Sequence, residues 1–222
     1  MLRFFLFLLV FTLSSCSTGG RNSGGSFSLL DSNAAKNDKL QEVLEAKVKT
    51  ESIYLDYSTE MQVDALYQDL IYRLAYAKEL SEVYYLADNA KAKIWRQHTQ
   101  DYENFYTFVV VLYPGSNKRA NFGRPSAEWQ AYLKDDEGDL LRPVKIVRLD
   151  KKNRELIFLH KYLRPLDRWS QTYLVRFPKL HRNAIEGSHA VKLIISGISG
   201  KAVIKFTDLS IFVQDRQNYQ LD

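Results

Sequence analysis

Phe105 to Tyr113 reads FYTFVVVLY, nine residues without a charge, and Pro114-Gly115 closes the run. Apolar side chains at successive positions make both faces of a strand apolar, as in a central strand covered on two sides. The period of the chain changes at this point, from helical before Tyr102 to alternating after it. Glu128 to Lys134 reads as a second strand. Asp135-Asp136-Glu137-Gly138-Asp139 has the composition of a hairpin turn leading into Leu140 to Leu149. Leu156 to His160 reads as a further strand, and Thr172 to Phe177 places Tyr173, Val175 and Phe177 on one face before Pro178 stops it. Ala190 to Ser196 and Lys201 to Thr207 flank the turn Gly197-Ile198-Ser199-Gly200, and Leu209 to Val213 extends or bends the last strand.

Before this β region the pattern is mixed. Ala34 to Lys47 carries a short helical face in Leu40, Val43 and Leu44, and Val48 to Tyr57 reads as a strand. Thr59-Glu60-Met61-Gln62 fits a capping box, in which the hydroxyl and the amide satisfy each other's backbone donors. Val63, Leu66, Leu70, Leu74 and Ala77 follow on one stripe, and Leu80, Val83, Ala87, Ala90 and Ile94 continue it. The spacing predicts one long helix, or two in close succession, from about Thr59 to Gln97. The expected fold class is α+β and mainly β: an antiparallel immunoglobulin-like β-sandwich with a preceding long helix packed on it.

Of the 222 residues, 45% are hydrophobic and 26% charged, with 10 glycines and 5 prolines. That balance excludes a disordered or collagen-like chain. The length suffices to bury a sizeable core. One cysteine excludes an intrachain disulfide framework and a Cys-rich zinc site.

That cysteine is Cys16. Met1-Leu2-Arg3 forms a short positive segment, and Phe4 to Leu13 then reads FFLFLLVFTL, ten residues without a charge. This has the length of a signal-peptide apolar region, whereas a membrane-spanning helix needs roughly 20 apolar residues. Leu13-Ser14-Ser15-Cys16 follows. These four residues resemble the lipobox of bacterial lipoprotein precursors. The resemblance implies peptidase recognition of Leu13, Ser14 and Ser15, cleavage after Ser15, and a diacylglyceryl group on the thiol of Cys16. Two or three chains of that kind anchor stably, at about 0.8 kcal/mol per buried CH₂. The absence of Asp at position 17 implies, by resemblance to enterobacterial lipoproteins, the outer membrane, with the domain facing the periplasm. Ser17 to Ser28 reads STGGRNSGGSFS, a flexible spacer. The expected organisation is a signal peptide over 1–15, lipidated Cys16 and tether over 16–38, a strand and helical segment over 39–102, and the β-sandwich over 103–222. The last two together form one domain.

The residues that could carry chemistry have mainly structural patterns. His98, His160, His181 and His189 are scattered without metal-ligand spacing. There is no Gly-x-Ser-x-Gly elbow and no phosphate-binding glycine loop. The acids of the 135–139 turn lack the distal bidentate Glu of an EF-hand. No catalytic residue, metal or cofactor is therefore assigned. Tyrosines Tyr54, Tyr57, Tyr67, Tyr72, Tyr76, Tyr84 and Tyr85 gather around the helical region and are expected along the seam between helix and sheet. Trp95, Trp129 and Trp169 are expected in the core or at its rim.

Charge is uneven along the chain. Asp31 to Ala90 holds 12 acidic and 6 basic residues, a net of −6, while Leu140 to Arg182 holds 12 basic and 3 acidic, a net of +9. Lys151, Lys152, Arg154, Lys161, Arg164 and Arg168 are half of those positives. Nucleic acid is excluded as a partner by the expected compartment, which leaves an anionic lipid or an acidic envelope protein. Alternatively, the acidic helical region packs beside the basic sheet region and the two fields cancel.

The function expected from these features is that of a non-catalytic cell-envelope lipoprotein, held to the bilayer through acylated Cys16. The alternatives are a carrier of amphiphiles with a cavity between helix and sheet, and a cell-wall enzyme using acids such as Asp101, Glu103, Asp167 or Glu186.

Overall fold

A computed structural model of the chain describes residues 39–115, 122–124, 126–134, 138–150, 152–153, 155–156, 170–179 and 188–209. Two antiparallel sheets pack against each other, and helices cover the outer face of one. The helices are α1 (Lys39–Lys47), α2 (Leu70–Val83) and α3 (Asp88–Asn104). The strands are β1 (Val48–Leu55), β2 (Ser58–Tyr67), β3 (Phe105–Pro114), β4 (Gln130–Lys134), β5 (Leu140–Leu141), β6 (Lys145–Leu149), β7 (Gln171–Pro178), β8 (Ser188–Gly197) and β9 (Gly200–Leu209). The first sheet has the order β1-β2-β3-β7-β6 and the second β5-β4-β8-β9.

β3 sits in the middle of the five-stranded sheet, as its composition requires. Phe108, Val110 and Leu112 face the second sheet and join a core with Tyr67, Phe177, Leu193, Ile204 and Phe206. Val109 and Val111 face the opposite way and join Leu40, Leu44, Leu66, Leu74 and Tyr76 beneath the helices. Both faces of one strand are thus buried in two separate cores.

The capping-box reading of Thr59 to Gln62 is overturned, because residues 58–67 form β2 and not a helix. Thr59 pairs with Tyr54 across the β1–β2 hairpin, and the Gln62 amide donates to Asp64 Oδ1 at 3.2 Å. Met61, Val63, Ala65 and Tyr67 alternate into the core between the sheets. Val63 and Leu66, three apart, would share one face of a helix. In the strand they point to opposite faces, Val63 between the sheets and Leu66 beneath the helices. Both are buried either way, so apolar character alone does not separate the two forms. Pairing with both β1 and β3 decides.

The helix starts eleven residues later than the apparent capping box at Thr59, after Asp69. Asp69 Oδ1 accepts from the Tyr72 amide at 2.9 Å, and Oδ2 pairs with Lys47 at the end of α1. The long stripe is two helices, parted by residues 84–87. Leu86 N–H bonds to Ser81 O at 3.0 Å and Tyr85 N–H to Glu82 O at 3.2 Å, with Tyr85 at φ 48°. This is a Schellman ending with tyrosine at the left-handed position usually held by glycine. α3 runs on to Asn104, beyond the expected end at Gln97.

Leu140 to Leu149 is not one strand. Residues 140–141 return beside β4, and residues 145–149 cross to pair with β7 in the other sheet. Pro143 between them lacks the N–H a ladder needs. Leu156 lies in a helical turn and not a strand, and 157–160 lie outside the described residues. Gly138 takes φ 96°, in keeping with a turn, while Asp135, Asp136 and Glu137 lie outside the described residues. Leu209 ends β9, and 210–213 also lie outside them.

The β1–β2 and β2–β3 ends are tightly joined. Gly115 donates to Glu60 O at 2.8 Å, and a β-carbon there would stand 1.8 Å from the Thr59 carbonyl oxygen. Only glycine fits so close an approach.

Candidate functional site

The residues of the expected anchor, Leu13, Ser14, Ser15 and Cys16, lie outside the described residues. So do Lys151, Arg154, Lys161, Arg164 and Arg168 of the expected basic patch, and the acids Asp167 and Glu186. Lys152 is exposed on a turn, its amide donating to Asp150 Oδ1 at 2.9 Å. Asn153 Oδ1 then accepts from the amides of Glu155 and Leu156 at 3.0 and 3.2 Å. Leu156 is buried, so this turn is tied into the body of the protein just after Lys152.

Glu155 leads into a cluster of charge beneath the helical layer. Its carboxylate accepts from the Gln68 amide at the β2–α2 junction. Arg73, one turn into α2, is 1% exposed and donates from Nε to Gln68 O at 2.9 Å. Its Nη1 stands 3.8 Å from Asp101 Oδ2 on α3. Arg176 of β7 reaches the same oxygen at 3.0 Å. Two guanidiniums from a helix and a strand therefore share one carboxylate from the other helix. Arg73 Nη2 and Thr107 Oγ1 are buried without a hydrogen-bond partner among the described residues.

Burial dominates the electrostatics here. It pulls the Arg73 guanidinium below its usual range, and Asp101 and Glu155 draw it back. It pushes the Glu155 carboxyl up, against the Gln68 hydrogen bond and the charge of Arg73. His98 packs on Tyr76 with ring centroids 5.4 Å apart. Its pKa is lowered to about 4, first by burial and then by the charge of Arg73.

The cluster joins α2, α3 and β7 more readily than it performs acid–base chemistry. Asp101, one of the acids considered as catalytic, is occupied by two cations. Glu103 is exposed and stands outside the cluster. Of these residues the sequence alone points to Asp101 and not to Arg73, Gln68, Glu155 or Arg176. The available signal was Arg73 itself, a charge set among Leu70, Leu74 and Ala77 in an apolar stripe.

The tyrosines divide by position. Tyr72 and Tyr76 lie in the seam between helices and sheet, as expected, and Tyr67 lies between the sheets. Tyr54, Tyr57, Tyr84 and Tyr85 are exposed, so with Tyr67 the seam expectation is corrected for five of the seven. The first pair belongs to the β1–β2 hairpin and the second to the α2–α3 turn, where no layer covers them. Trp129 is core, Trp95 packs partly buried under the helices, and Trp169 lies outside the described residues. Of the opposed charge regions, Lys47 pairs with Asp69 within the acidic one, and Arg176 of the basic one pairs with Asp101.

Among the described residues no group of three or more His, Cys, Asp or Glu side chains is placed to hold a metal ion. No described helix is long and apolar enough to cross a membrane. No protein-family model, curated protein or solved structure matches the chain.

Proposed function

We propose that this protein is a non-catalytic binding or structural module of the bacterial cell envelope, anchored by lipid on Cys16 and facing the periplasm, at the outer membrane. The observation that carries the reading is Leu13-Ser14-Ser15-Cys16, set between a ten-residue apolar run and a Gly/Ser spacer. In support, two antiparallel sheets exchange strands between β3 and β4, β5 and β6, and β7 and β8. That exchange also supports the finer description of an immunoglobulin-like sandwich with a helical layer on one outer face.

The carrier alternative is disfavoured by the seam it would use. Leu40, Leu44, Leu66, Leu74, Val109 and Val111 occupy it, each no more than 3% exposed, and Arg73 lies beside them. A charged guanidinium there is a poor neighbour for an acyl chain. The enzyme alternative is disfavoured by the double pairing of Asp101.

Cys16→Ser in intact cells tests the reading. The variant is expected to lose fatty-acid label and to appear as a soluble or uncleaved species. An acylated, detergent-requiring Cys16→Ser protein would overturn it.

A further inference from the structure

The outer face of the four-stranded sheet carries an arrangement of charge that its own packing does not require. Lys134 of β4 pairs in register with Lys192 of β8, and Lys192 with Lys205 of β9. The residues beside them, Leu133, Leu193 and Ile204, are buried between the sheets, so all three lysines point outward. Directly opposed side chains have β-carbons about 5 Å apart, and like charges so placed are destabilising. Lys201 adds a fourth positive charge on the same face, opposite Ser196. None of the four lysines has an ion-pair partner among the described residues, and no outward position of β4, β5, β8 or β9 among those residues is acidic.

Apolar surface adjoins this charge. Tyr132 and Ile194 form the next outward row, half-buried, between the lysine row and the turn. Ile198 stands at the tip of the β8–β9 turn, 98% exposed. The turn is held in place, since a methyl group at Gly200 would stand 2.8 Å from Cγ2 of Ile53 on β1. A fully exposed isoleucine on a fixed turn gains free energy only by entering an apolar medium.

We propose that this face is a docking surface for an anionic lipid bilayer. Lysine is a compact, strongly hydrated point charge, suited to diffuse attraction toward a charged surface. A paired protein interface favours the fork of arginine. Four lysines without an ion-pair partner among the described residues, beside a projecting isoleucine, match headgroup phosphates over hydrocarbon. The proposal deepens the envelope reading by naming the partner of the folded domain. It is tested on a chain without Cys16, so its failure and the failure of lipid anchoring are separate results.

The chain from residue 17 to 222, which keeps every described element, is sedimented with two kinds of vesicle. One is phosphatidylcholine alone; the other is phosphatidylcholine and phosphatidylglycerol in equal parts. Binding is expected only to the second, and it should fall as salt approaches about 1 M, where screening acts within about 3 Å. Each lysine near an anionic surface is worth about fivefold in partitioning. Lys134→Gln/Lys192→Gln/Lys205→Gln should therefore bind on the order of a hundredfold more weakly. Its melting temperature should not fall, because a repulsive row has been removed. Arg142→Gln/Lys145→Gln/Arg148→Gln removes as many exposed charges from the other sheet and its approach. That variant should keep most of the binding. Equal loss in both triple variants would show attraction by net charge and overturn the proposal. Absence of binding to either vesicle at low salt would also overturn it, and would be the result for a face that receives an acidic protein.

Discussion

Asp101 shows how a residue acquires its role from neighbours that are distant in the chain. Arg73 and Arg176 lie 28 residues before it and 75 after it, and both aim at one of its oxygens. A buried guanidinium deprived of its counter-charge is expensive, so Asp101→Asn is expected to cost about 3 kcal/mol. In an Arg73→Met background the same substitution should cost at least about 1 kcal/mol less, because the stranded charge has gone. Chemical denaturation of the four proteins measures that difference, and strictly additive losses would remove the ion pair from the account. His98 sets a second expectation. Its folded pKa of about 4 lies below the ordinary 6.5. Between these values the unfolded chain holds a proton that the folded chain does not, so stability falls as pH drops from 6.5 toward 4. Glu155, with a raised pKa, works in the opposite direction as its folded form takes up a proton first. His98→Gln should therefore flatten the acid side of the stability curve. An unchanged slope between pH 6.5 and 4 would mean that His98 is already protonated in the fold.

At the scale of the element, the segment from 58 to 104 is the instructive one. Its apolar spacing continues through a strand, a helix, a turn and a second helix, and no glycine or proline marks the joints. The β2–α2 joint is marked by Asp69, a capping residue with a local partner. The α2–α3 joint is marked only by the backbone of Tyr85. A tyrosine in the left-handed region costs about 1 kcal/mol relative to glycine, and this one is 94% exposed, so little packing would be lost with its ring. Tyr85→Gly is expected to raise stability by about 0.5 to 1 kcal/mol, read as a shift of the thermal midpoint. A loss of stability would place the Tyr85 ring in a contact that contributes more than the strain.

At the scale of the whole molecule, the five-stranded sheet is shared between two cores and β3 is shared by both. Its amides at 108–112 should exchange with solvent only on global unfolding, while those of the edge strands β5 and β6 exchange by smaller openings. Hydrogen exchange followed by mass spectrometry reads this directly. Protection of β3 no greater than that of β6 would contradict the layered arrangement. The run FYTFVVVLY by itself determined that one strand is buried on both sides, because a strand has two faces and neither carries a polar row. The turn at Gly197 to Gly200 and the strands beside it were equally legible, since alternation and turn chemistry are local. The helical expectation for 58–67 fails because β2 is covered on both faces. Val63 and Leu66, which would share a helix face, are buried on opposite sides of the strand. Only hydrogen bonding to β1 and β3 chooses between the two forms. The lysine row was invisible for the same reason. Lys134, Lys192 and Lys205 are 58 and 13 residues apart in the chain, so neither a charge run nor a motif joins them. Strand register brings them side by side, and register is a property of the paired sheet and not of any one segment.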